Sequence, residues 1–197
     1  MRPILQGLSP CPAYLFDERR RPDFRDIFGA LAAQASVIAT AVTRVRLSAV
    51  DLTRPELERV EHFRVLVAEM NALHLDADAR GLQADPRRAP NAELLSELLE
   101  RGRLQVRSSP LAGWAPDFTV FSSPSGPQAV LVGSHWFERP FPHRGPALGA
   151  VHIGDAARLA AQRHDEAWDR AHDVGPAVWS ILSNARSRAL RARAPGG

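Results

Sequence analysis

Apolar and polar positions follow two different periods along this chain, and the changes of period mark its elements. From Asp23 to Ala35, the residues Ile27, Phe28, Leu31 and Ala35 recur at helical spacing, which predicts a helix. Ser36–Val42 is apolar and rich in β-branched residues, the signature of a buried strand. Val45–Val50 either extends that strand or forms a separate short piece. Thr53-Arg-Pro-Glu56 has capping-box spacing with proline in the first turn; it predicts a helix to about Ala72, with Val60, Phe63, Val67 and Met70 along one side. Leu73–Ala79 alternates leucine or alanine with His74, Asp76 and Asp78, a half-buried strand pattern. Gly81–Pro90 reads as a polar loop. Asn91 is placed to cap a helix Ala92–Arg101 that Gly102 stops, and Leu104–Arg107 follows as a short strand.

In the second half, Ala115-Pro-Asp-Phe-Thr-Val-Phe-Ser and Gln128-Ala-Val-Leu-Val-Gly-Ser-His-Trp-Phe read as two strands joined by a Ser-Pro-Ser-Gly-Pro turn. Leu148–Ile153 is a further strand. Asp155 is a candidate cap for a helix reaching about His172, which Gly175-Pro176 ends. The last helix, Ala177 to about Arg191, carries Trp179 and Leu182. The element order predicts an α/β fold: a mixed, mainly parallel sheet with helices on both faces. Residues 1–22, broken by four prolines, are an irregular lead-in. Residues 23–175 are the domain, and 176–197 a terminal helix with a basic tail.

Composition narrows this picture. At 197 residues and 45% hydrophobic, the chain buries one core. No apolar run is long enough to cross a bilayer, and the N-terminal apolar stretch is too short for a secretory signal, so no membrane association and a cytoplasmic location are expected. Cys11 is the single cysteine, which excludes an internal disulfide and a multi-cysteine metal site. Seven histidines include no HExxH and no close pair, so neither a metal nor any other cofactor is expected. All 25 basic residues are arginine. Arginine presents a planar fork to phosphates but neither titrates nor forms a Schiff base. The net charge of +3 identifies no partner, yet after Asp173 the chain carries Arg186, Arg188, Arg191 and Arg193 and no acid.

The hairpin with its Gly133-Ser134 step, the two helix-to-strand steps before it, and the ending Arg163-His-Asp-Glu-Ala-Trp-Asp-Arg-Ala together resemble one repeat of the phospholipase D-like phosphodiesterases, over roughly residues 24–173. The resemblance implies that family's fold. It also implies an active strand of His, any residue and Lys, with an acid further on. On this chain those positions fall at Ala115, Asp117 and near Ser122. The asparagine expected after the Gly-Ser step is Trp136 or Phe137. A His nucleophile and a Lys clamp are what such chemistry needs, and a chain without lysine holds no His-x-Lys.

The expectation is therefore a phospholipase D-like domain that is no enzyme: a homodimer, by analogy with single-repeat members, that binds DNA or RNA or a protein partner. Arg139, Arg144 and Trp136 in the loop after the hairpin, with Arg186, Arg188, Arg191 and Arg193 in the tail, are its candidate nucleic-acid contacts. Two alternatives are a small-molecule or effector-sensing domain of a regulator, and a residual phosphodiesterase that uses His135 or His143 with nearby arginines.

Overall fold

The computed structural model describes residues 13–17, 23–109, 117–133 and 148–193. Eight strands form one sheet: β1 (Ala13–Asp17), β2 (Val37–Val42), β3 (His62–Val67), β4 (Leu104–Ser108), β5 (Asp117–Ser123), β6 (Gly126–Gly133), β7 (Leu148–Ile153) and β8 (His172–Asp173), in the order β1-β7-β6-β5-β2-β3-β4-β8. The helices are α1 (Phe24–Ala32), α2 (Val50–Leu57), α3 (Ala72–Ala84), α4 (Ala89–Glu100), α5 (Asp155–Trp168) and α6 (Gly175–Arg193); a 3₁₀ turn, Leu47–Ala49, leads into α2. The sheet is mixed, with helices on both faces, as the sequence predicts, but it is mainly antiparallel and not mainly parallel. Its parallel pairing is confined to β2-β3-β4, because only these strands are joined by helical crossovers. The β1–β7, β2–β5, β4–β8, β5–β6 and β6–β7 ladders are antiparallel.

Alternation along the strands separates two cores. Ile38, Val42, Phe63, Val65, Val67, Phe121 and Leu131 point to one face, where they meet the apolar sides of α1, α2, α3, α4 and α6. Phe28 of α1 stands edge-on to Phe121, ring centroids 5.2 Å apart, the favoured arrangement of aromatic quadrupoles. Asp23 caps α1 in a reciprocal box with Asp26, which satisfies two backbone donors at the helix start. On the opposite face, Ala39, Ala41, Val120, Val130 and Leu66 lie under α5, the one helix on that side among the described residues.

Several sequence expectations are corrected. The helix expected from Thr53 to Ala72 is two elements. Thr53 lies inside α2, which ends at Leu57 two residues after Pro55, and His62–Val67 is a strand. Phe63, Val65 and Val67 alternate, and Leu66 is buried on the other face; in a strand covered on both sides the helical spacing of Phe63, Val67 and Met70 is coincidental. Leu73–Ala79 is helical, with Leu75, Ala79 and Leu82 buried at intervals of four and three, so His74, Asp76 and Asp78 share no strand face. Asn91 caps nothing: α4 begins at Ala89 with Pro90 in its first turn, and the buried Asn91 side chain accepts from Arg54 Nη1 at 2.7 Å. Gly175-Pro176 starts a helix rather than ending one, and His172 belongs to β8. Inside the expected irregular lead-in, residues 13–17 pair with β7 as an edge strand. Gly102 does end α4, at φ 67°, where a side chain would be strained.

Candidate functional site

The ladder registers bring one end of every central strand together. Val42 pairs with Val67, Val67 with Ser108, Val42 with Asp117, and Gly133 with Gly149. The carboxyl ends of the three parallel strands thus share an edge with the start of β5 and the end of β6. In open sheets of this kind, ligands bind beyond the carboxyl ends of the strands, where the chain leaves in different directions.

Past this edge the β2 and β3 segments stay paired for two further rungs: Ala68 N donates to Val42 O and Glu69 N to Thr43 O, each at 2.9 Å. The rungs set Arg44 against Glu69, with Nε 3.2 Å from Oε2. Arg46 reaches Asp78 on α3, Nη1 to Oδ1 3.2 Å; the second oxygen of Asp78 is buried without a hydrogen-bond partner. Asn71 caps α3, its side chain accepting from His74 N at 3.1 Å. Arg44, Arg46, Glu69, Asn71 and His74 line a cleft of about 120 Å³. In the second turn of α3, Asp76 binds both Arg80 (3.1 Å) and Arg188 of α6 (3.4 Å). The tail helix is thereby fixed beside the first turns of α3. The rim thus carries Arg44 on Glu69, Arg46 on Asp78, and Arg80 and Arg188 on Asp76. The Arg44–Glu69 pair is exposed on both sides, and such pairs hold by about 0–1 kcal/mol, weakly enough for an incoming phosphate to compete.

Asp117, where the resemblance places a lysine, is half-buried at the middle of this edge, opposite Val42. A carboxylate there repels phosphate, so anion binding is left to the flanking arginines. Beneath it the hydroxyls of Thr40 and Thr119 hydrogen-bond across β2 and β5 inside the core.

Of the residues singled out from the sequence, Trp136, Arg139, Arg144, His135 and His143 lie outside the described residues. Arg186, Arg188 and Arg191 are exposed on α6, and Arg193 is its last residue. They do not form a free basic tail: Arg186 lies 3.8 Å from Glu93 of α4, and Arg188 is held by Asp76. Sequence reasoning missed Arg44 and Arg46. Their signal was their position just after a buried β-branched run, which is where the carboxyl-end loop of a parallel strand falls.

No family model matches the sequence, and no curated protein matches it. Solved structures do. Nuc of Salmonella typhimurium, a phospholipase D family member, is 10% identical and superposes with a TM-score of 0.51, over 82% of this chain and 97% of that one. The phosphatidylserine synthase of Haemophilus influenzae is 10% identical with a TM-score of 0.55, over 91% of this chain and 46% of that one, so this chain spans about half its length. TrmBL2, an archaeal chromatin protein with a novel mode of DNA binding, is 16% identical with a TM-score of 0.46, over 87% of this chain and 58% of that one. The chain has the phospholipase D-like fold. One expectation is corrected by these neighbours: that the chain is no enzyme. The fold is shared with a phospholipase D family member and a synthase, and a missing His-x-Lys excludes that nucleophile and clamp, not turnover. Among the described residues no helix is long and apolar enough to cross a membrane.

Proposed function

We propose that this phospholipase D-like chain binds the phosphodiester backbone of nucleic acid in the cytoplasm, as a homodimer, through the arginine rim at the carboxyl ends of β2 and β3. The observation that carries the reading is that Arg44 and Arg46 line one cleft with Asn71 and His74 at the start of α3. Guanidinium groups hold two phosphate oxygens at once. The adjoining helix start adds unpaired N–H groups and the positive end of its dipole. Glu69, Asp76 and Asp78 hold the arginines in place without ligand and are the groups a phosphate displaces. Arg139 and Arg144, which lie outside the described residues, are further candidate contacts in this reading.

Fluorescence anisotropy with single-stranded DNA and RNA at two salt concentrations tests it. Wild-type affinity is expected to fall steeply with salt. Arg44→Ala with Arg46→Ala should lower the log–log salt slope by about 0.7 for each phosphate of a single strand that the variant no longer neutralises. Absence of binding at low salt, or an unchanged slope in the double variant, rejects the rim. Sedimentation velocity tests the dimer. Hydrolysis of bis-p-nitrophenyl phosphate by the wild type, abolished in His135→Ala or His143→Ala, would add turnover to binding.

A further inference from the structure

We infer that α5 is an acid-releasable layer, latched to its face of the sheet by the buried imidazole of His164. The side of α5 that meets the sheet is nearly all alanine: Ala157, Ala160, Ala161 and Ala167 lie over Ala39 and Ala41 of β2, with Val120 and Val130 alongside. His164 and Trp168 are the two large side chains on that side. His164 is fully buried, and neither ring nitrogen has a hydrogen-bond partner. Its ring stacks on Trp168, centroids 5.5 Å apart and planes 20° from parallel. Trp168 in turn lies under Arg107 at 4.7 Å and Arg64 at 5.7 Å, and Arg107 Nη1 donates to its carbonyl at 2.9 Å.

An imidazole in this position is held as a neutral, essentially apolar ring. Protonation would place a charge on a fully buried ring whose nitrogens make no close hydrogen bond, which burial disfavours. The charges around the ring do not rescue it. From α5 itself, Asp165 Oδ1 is 3.6 Å from Nδ1, but it is 62% exposed and the same oxygen lies 3.6 Å from Arg64 Nη1. From β3 and β4 come the two arginines, both positive. From β7 comes His152 on the same sheet face, its Nδ1 also buried without a partner. Among the described residues β2, β5 and β6 contribute Ala39, Ala41, Phe118, Val120 and Val130, none of which titrates. Burial accordingly lowers the affinity of His164 for a proton below the ordinary imidazole value of 6.5, with Arg64 acting in the same direction and Asp165 against it.

Above pH 6.5, open and closed forms both carry neutral His164 and the latch is at full strength. Below it, the opened helix takes up a proton that the closed one refuses, so opening is favoured by up to about tenfold per pH unit until the closed-state value is reached. Because α5 is the sole described helix on this face, opening it uncovers the alanine and valine strip of β2, β5 and β6.

Amide hydrogen exchange of the full chain at pH 7.5, 6.5 and 5.5, corrected for intrinsic exchange, tests this without any ligand. The wild type should lose protection selectively in α5 as pH falls, by up to about tenfold between 7.5 and 5.5. His164→Leu should abolish that pH dependence. An equal acid response in both proteins, or a response spread evenly over β2–β6, would overturn the inference. Should His164→Leu fail to fold, the His164 Cε1–Hε1 NMR signal of the wild type decides. A ring that titrates near 6.5 while α5 stays protected sinks the latch, and one that stays neutral until α5 opens supports it.

Discussion

The two faces of the sheet are built to different designs. One is thick, where leucine, valine and phenylalanine from β2, β3, β5 and β6 interlock with five helices. The other is thin, where α5 lies close over alanines and two rings supply the bulk. A thick core loses stability when volume is removed. A thin one loses it when volume is added, because a close approach leaves no room for a larger side chain. Equal burial therefore conceals opposite sensitivities, and the thin face carries the fully buried His164.

Three substitutions sharpen that contrast. Phe121 is fully buried on the thick face against Phe28; Phe121→Ala should destabilise the chain by about 3–5 kcal/mol in urea unfolding. Ala157, equally inaccessible on the thin face, should resist enlargement instead: Ala157→Leu is expected to cost about 1–3 kcal/mol by the same measurement. Were Ala157→Leu neutral, α5 would not be closely applied and the contrast would fail. Least affected should be Arg186→Ala, which removes an exposed pair with Glu93 and should shift stability by no more than about 0.5 kcal/mol. A larger loss would mean that the tail helix depends on its ion pairs and not on Val178, Leu182 and Ala185, its buried stripe.

Which parts of the fold were legible depended on whether local pattern and tertiary setting agreed. The first helix, the strand from residue 37, the hairpin about Pro124-Ser125 and the strand from 148 all followed from short-range pattern: apolar residues at helical spacing, β-branched runs, a Ser-Pro-Ser-Gly-Pro turn. The middle of the first half misled. Thr53-Arg-Pro-Glu56 imitates a helix start, yet it sits at a helix end. Leu73–Ala79 shows a period of two because His74, Asp76 and Asp78 fall between apolar residues, while the buried set Leu75, Ala79 and Leu82 needs a longer window to appear. The candidate site was less legible than the fold. Arg44 and Arg46 are separated from Glu69, Asp76 and Asp78 by a strand and a crossover helix, and their meeting depends on parallel pairing that the misread strand concealed. The arginines of the last helix were visible as a run, but not the acids of α3 and α4 that hold them.

The strand at residues 13–17 has a practical consequence. It occupies the outer side of β7 along five residue pairs, so β1 and not β7 is the outermost described strand on that side. Trimming the chain beyond Asp17 would leave β7 with a row of unmatched amide and carbonyl groups, open to a strand from another molecule. Expression designs that begin at Asp23 would make β7 the border of the sheet; keeping the preceding segment keeps β7 paired on both sides.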